Sequence, residues 1–192
     1  MEKTITITER PELKTSELIA LCKTKFKVWS WRDDWDRWFP APTQKTYRVF
    51  RDQIEADEGL KNLSVNDLKK RGGEYMTFRE RIIMELEYFE RTGKHLDLEN
   101  YTICPSSPWG GNFPCLVWFD GRLGLRTVNP DGANDYWRAR EVVSLTLEPL
   151  NSNPSVCQHK FILSTVSPWE LDQYALVICE KCGDVRKKVI ER

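Results

Sequence analysis

Four side chains in the last third of the chain come in two close pairs, Cys157-Gln-His159 and Cys179-Glu-Lys-Cys182-Gly183, with nineteen residues between them. Thiolate sulfur and imidazole nitrogen are ligands that hold zinc in a tetrahedron, and such pairs sit on tight turns of a small sheet. The intervening segment meets that demand. Lys160 to Val166 reads as a strand, Ser167 to Asp172 as a turn and Gln173 to Ile178 as the returning strand, and Val185 to Ile190 can add a third. Cys157, His159, Cys179 and Cys182 are therefore read as the ligands of one structural Zn2+ per chain, and residues 157–192 as a zinc ribbon. Four protein ligands leave no open position for water or substrate, which makes the metal a staple rather than a Lewis acid. So small a module buries little apolar surface, and the metal would supply most of its folding free energy. The competing reading is a reduced Cys-x-x-Cys with an incidental histidine, since the Cys-x-His spacing is one residue tighter than usual.

The remaining 156 residues are enough for a generous domain. Lys plus Arg and Asp plus Glu both number 29, so the formal net charge is zero. That argues against coating nucleic acid by bulk electrostatics, which needs concentrated positive charge. The N-terminus has no apolar run fit for a signal peptide, and no segment reaches the length of a membrane span. A reducing cytoplasm is the expected location. There, cysteines favour metal over disulfides, and Cys22, Cys104 and Cys115 read as small core hydrophobes.

Local signals predict helices early and strands later. Thr4 to Thr8 alternates as a short strand, and Thr15 or Ser16 can cap a helix carrying Leu18, Leu21, Cys22 and Phe26. If Trp29 to Phe39 is helical, with Ser30 and Asp33 as a capping box, then Trp31, Trp35 and Trp38 fall at i, i+4 and i+7 as one aromatic stripe. A second helix is expected over about 45–57 and a short one from Ser64 to Gly72. Thr77-Phe-Arg-Glu80 opens the best helix of the chain, with Ile82, Ile83, Leu86 and Phe89 on one side and Gly93 at its end. From Leu96 the texture turns to β. Asp97 to Cys104 reads as a strand, and Pro114 to Phe119 with Arg122 to Val128 as a hairpin on an Asp120-Gly121 turn. Asn129 to Gly132 is a turn, Ala139 to Leu147 a strand, and 149–156 a linker. The expected architecture is α+β: a domain over 1–148, helical to about 93 and antiparallel β-rich over 96–148, then the linker and the ribbon.

Several residues are candidates for contact or chemistry. Trp31, Trp35 and Trp38 either dock a partner or pack on the core. Trp109, in the loop Ser106 to Asn112 with two glycines, is the best loop position for a partner. Arg186, Lys187 and Lys188 make the far end of the ribbon basic and either touch a nucleic-acid backbone or form a solvated strand. His95 lies two residues from Asp97, a possible base and orienter, or else a surface residue in a turn. A second metal site from His95, Cys104 and Cys115 is conceivable, although no nucleophile elbow, phosphate loop or metalloprotease motif accompanies them.

The run Thr77-Phe-Arg-Glu-Arg-Ile-Ile-Met-Glu-Leu-Glu-Tyr-Phe-Glu-Arg-Thr-Gly-Lys-His-Leu-Asp97, continuing to Thr102-Ile-Cys-Pro-Ser-Ser107, resembles a segment of uncharacterised tailed-bacteriophage proteins over about residues 77–145. The resemblance implies a small phage accessory protein in the bacterial cytoplasm, and it carries no catalytic residue. The expected function is a non-enzymatic, zinc-containing binding protein that contacts a host or phage macromolecule, with protein favoured over nucleic acid. The alternatives are a nucleic-acid-binding accessory or regulatory factor acting through the basic tail, and an enzyme with a site near His95 and Asp97.

Overall fold

The computed structural model describes residues 3–143 and the three strands 161–166, 174–179 and 185–189, the last three as backbone. The protein is α+β and divides into two compact units, Met1–Ser144 and Leu145–Arg192. Among the described residues no helix is long and apolar enough to cross a membrane.

The first unit begins with β1 (Thr4–Thr8), α1 (Thr15–Lys25), β2 (Val28–Ser30), the single turn α2 (Trp35–Trp38) and β3 (Tyr47–Arg51). Two helices follow, α3 (Val65–Arg71) and α4 (Phe78–Thr92), then β4 (Tyr101–Ile103), β5 (Phe113–Phe119), β6 (Arg122–Val128) and β7 (Trp137–Arg138). The helix starts read from sequence are real caps. Ser64 and Thr77 each accept the N–H of a residue three positions on, and Asp67 and Glu80 reach back to the cap N–H. Gly93 closes α4 in the left-handed region at φ 68°. Asp120 and Gly121 both have positive φ, as a two-residue hairpin turn between twisted strands requires.

Five expectations are corrected. Residues 47–51 form β3, not a helix, and pair antiparallel with β1 in the register Ile5↔Phe50. Val49 and Phe50 are buried, and an aromatic and β-branched run finds in β1 the edge that neither strand has alone. The tryptophan segment is not one helix. Trp29 lies on β2, Trp31 follows it in a bend, and only Trp35 to Trp38 is helical, starting after Asp34 and not from Ser30. Pairing of β2 with β6 claims the backbone there, and the Ser30 hydroxyl bonds locally to Arg32 N and O. Leu21, expected among the apolar positions of α1, is exposed, and Lys14 rather than Thr15 or Ser16 holds the cap position. Of the strand expected at 139–147, residues 139–143 form no strand: Glu141 makes only an isolated antiparallel bridge to Tyr75, the two-residue β7 ends just before them at Arg138, and 144–147 lies outside the described residues.

The five-stranded sheet also departs from the antiparallel expectation. It is mixed, in the order β2-β6-β5-β4-β7, with β2–β6 and β4–β7 parallel. Its edge strand β2 comes from the part expected to be helical, so helices and strands are interleaved, not segregated. One sheet face contributes Leu116, Trp118, Leu123 and Leu125 to the main core, shared with α1, α4, Ile7 and Phe50. The other face is covered at one end by α3, where Ile103, Phe113, Cys115 and Val128 meet Val65, Leu68 and Tyr75. Helix α4 is enclosed on nearly all sides from Phe78 to Leu86, so its charged residues must find partners inside.

In the second unit β8 (Phe161–Val166), β9 (Tyr174–Cys179) and β10 (Val185–Val189) form an antiparallel sheet in the order β10-β9-β8. These are the strands expected of the C-terminal segment. Cys157, His159, Cys182 and the linker at 149–156 lie outside the described residues, and Cys179 ends β9.

Candidate functional site

Tryptophans that sequence placed in two separate features meet at one point. Trp109, buried in the loop before β5, is the hub: Trp31, Trp35 and Trp38 have ring centroids 5.4, 5.6 and 6.2 Å from it. Trp35 is buried and stacks on Phe78 at the start of α4 at 5.0 Å, which anchors the cluster in the main core. Trp31 is at the other extreme, with 54% of its surface exposed. The stripe is thus both things that its spacing allowed, core at Trp35 and surface at Trp31.

An arginine completes this surface. The guanidinium of Arg32 lies 5.4 Å from the Trp31 ring and 5.1 Å from the Trp109 ring. Asp34 holds it there: Arg32 Nε donates to Asp34 Oδ1 at 2.6 Å and Nη2 to Oδ2, while Trp38 Nε1 donates to Oδ2 at 3.2 Å. The hydrogen bond from Arg32 draws the Asp34 carboxyl below its ordinary range and pushes the guanidinium above its own. One carboxylate therefore fixes a cation and an indole in a set geometry. Gly110, at φ 54°, has its Cβ direction open except for Trp38 at 3.8 Å, so loop backbone lies beside the rings.

His95 is not paired with Asp97. Its Nδ1 lies 2.9 Å from Glu85 Oε1, and its ring stacks on Trp118 at 3.5 Å and Phe89 at 4.8 Å. The same Glu85 oxygen accepts Trp118 Nε1 at 3.0 Å, and the other accepts Arg81 Nη1 at 2.8 Å. Asp97 is fully buried between two guanidiniums, taking Arg81 Nε at 2.8 Å and Arg140 Nη2 at 2.7 Å, and it also accepts the Thr102 hydroxyl. Burial opposes its ionisation, but the two arginines outweigh burial and hold the carboxyl below its usual range. Sequence reading missed Glu85, Arg81 and Arg140. The legible signal was Arg81 with Glu85 four residues on along one helix; no local pattern announces Arg140.

The three cysteines of the first unit, Cys22, Cys104 and Cys115, are free and buried. Burial pushes the Cys22 and Cys115 thiols up to about 12 and Cys104 well above its ordinary value, which leaves them protonated and inert at neutral pH. Cys104 belongs to the main core and Cys115 to the second, as expected of small hydrophobes. Among the described residues no three His, Cys, Asp or Glu side chains are grouped to hold a metal. Arg186, Lys187 and Lys188 lie on β10, an edge strand, paired with Val177, Leu176 and Ala175. Comparisons of the chain with protein families, with curated proteins and with solved structures each return no match.

Proposed function

We propose that this chain is a non-enzymatic binding protein, a phage-type accessory factor of the bacterial cytoplasm whose first unit presents Trp31 and Arg32 to a host or phage protein. The observation that carries the reading is the exposure of Trp31 on a pre-arranged tryptophan–arginine cluster. Trp and Arg are the side chains most enriched among residues that dominate protein interfaces, and a cation already fixed by Asp34 loses little freedom on binding. Asp33 and Asp34 beside the rings repel phosphate and so favour protein as the partner here. The test compares capture of bacterial proteins by the native chain and by Trp31→Ala/Arg32→Ala, with and without nuclease. Nuclease-resistant capture that the double variant loses, at unchanged thermal midpoint, is the expected result; capture that the variant retains would refute the assignment.

The second unit is proposed to be stapled by one structural Zn2+ on Cys157, His159, Cys179 and Cys182. Three thiolates and one imidazole suit zinc, and strands at 161–166 and 174–179 between the ligand pairs support the reading. Elemental analysis should give about one zinc per chain, and Cys179→Ser should lose it and unfold the second unit alone. A fully folded zinc-free chain would end this reading. The nucleic-acid alternative rests on Arg186, Lys187 and Lys188 along an edge strand. The enzyme alternative would need His95 with Glu85, since Asp97 is already engaged by two arginines.

A further inference from the structure

We infer that the first unit carries a separate site for single-stranded nucleic acid on the open end of its five-stranded sheet. The register of β5, β6 and β2 sets Phe119 opposite Arg122, Cys115 opposite Arg126 and Trp29 opposite Gly124, all on the face away from the main core. α3 covers the Phe113 end of that face, and Trp29, Phe119, Arg122 and Arg126 at the other end are partly exposed. There the Arg126 guanidinium stacks 4.3 Å from the Phe119 ring and 5.7 Å from Trp29, and Arg122 lies 4.7 Å from Phe119. Gly124 makes the arrangement possible: a Cβ there would come within 2.4 Å of Phe119 Cε1, so only a glycine lets the ring lie across the strand.

The charges of these arginines are unanswered. Arg126 makes no hydrogen bond and no ion pair among the described residues, and Arg122 meets only the exposed Asp120, at 3.8 Å. By contrast Arg10, Arg48, Arg79, Arg81, Arg91 and Arg140 all end on carboxylates. Lys69, without an ion pair among the described residues, extends the line of cations over Phe113 at 4.3 Å. Planar guanidiniums bind phosphate through two donors, and flat rings on a sheet accept stacked bases. Arg122 and Arg126 stand about 13 Å apart along β6, a span that several nucleotides of an extended strand cover. Among the described residues only Asp120, exposed in the hairpin turn and 3.8 Å from Arg122, pairs with these cations, whereas on the Trp31 surface Asp34 hydrogen-bonds Arg32 directly. This face reconciles zero net charge with nucleic acid, because three cations in line suffice for a short single strand but not for bulk attraction. This inference goes beyond the protein-partner reading and stands or falls without it.

The test is fluorescence anisotropy of a labelled oligothymidylate of roughly 16 nucleotides with the full chain, between about 50 and 200 mM salt. The expected slope of log affinity against log salt is about −2, from three cations at about −0.7 each. Arg126→Gln should weaken binding about tenfold and flatten the slope by about 0.7. Phe119→Leu should weaken it as much without changing the slope, and Trp31→Ala/Arg32→Ala should leave it intact. No binding at the lowest salt would overturn the proposal, as would binding indifferent to both Arg126→Gln and Phe119→Leu. Loss confined to Arg186→Gln/Lys187→Gln/Lys188→Gln would assign binding to the tail. Equal competition by polyglutamate would make the face a docking site for acidic peptide. Either result refutes the site as stated.

Discussion

Two groups of arginines in the first unit show opposite uses of the same side chain. Arg81 and Arg140 are 0% and 1% exposed, share Asp97 between them, and are locked by Glu85 and by main-chain carbonyls at Gln53 and Ile54. Arg122 and Arg126 lie on a partly exposed sheet face with aromatic rings and one distant carboxylate. The first pair ties α4 to the segments after it, and its charges cancel where no ligand can reach. The second leaves the Arg126 guanidinium without a carboxylate among the described residues and that of Arg122 with one 3.8 Å away. Burial with cancelled charge marks a structural device, and exposure with uncancelled charge marks a surface for contact.

Asp97 is where a single substitution should have the largest effect on the closed arginine pair. Asp97→Ala leaves the buried Arg140 without a counter-charge and Arg81 with Glu85 alone, and should cost about 3–5 kcal/mol in urea unfolding. A loss below about 1 kcal/mol would show that the closed network is not what holds these segments. The same carboxylate gives the pH dependence. Its folded pKa lies below the unfolded value near 3.9, so its contribution is complete above that value and lost as pH falls through the folded pKa. The stability gap between native and Asp97→Asn proteins should therefore be constant from neutral pH to about 5 and shrink below about 4. A gap that instead narrows between neutral pH and about 5 would identify another group as the source. Gly124→Ala should cost about 1 kcal/mol, because Phe119 is a surface side chain that can swing aside, but it should disturb the open face. Shifted proton resonances of Phe119 and Arg126 Hε would check this. Arg126→Gln is the mildest, at about 0.5 kcal/mol for a partly exposed cation–aromatic contact. If it destabilises as much as Asp97→Ala, the distinction between closed and open arginines fails.

Features held within a few residues were legible in the sequence. Ser64 with Asp67, Thr77 with Glu80, Gly93, and Asp120-Gly121 each set a helix end or a turn by local hydrogen bonds or backbone freedom, so their neighbours alone decide them. The period-two run at 4–8 and the hairpin strands at 114–119 and 122–128 were equally plain, as were the three C-terminal strands. Residues 47–51 misled because a five-residue aromatic and β-branched run suits either state until a partner edge appears. β1, some forty residues earlier, supplies that edge. The candidate surface was half readable: Trp31, Trp35, Trp38 and Trp109 could be named, but not that Trp109 would gather the other three.

By itself, then, the sequence determined the α+β composition, the caps and the central hairpin, since each depends on residue type at short spacing. The tertiary structure alone decided which strand lies at the edge of the mixed sheet. It also decided that His95 faces Glu85 while Asp97 takes Arg140 from forty-three positions away, and that Arg126 meets rings in place of an acid. Those outcomes turn on which surfaces meet when the core closes. Charge cancellation and burial are properties of that meeting, and no local pattern encodes them.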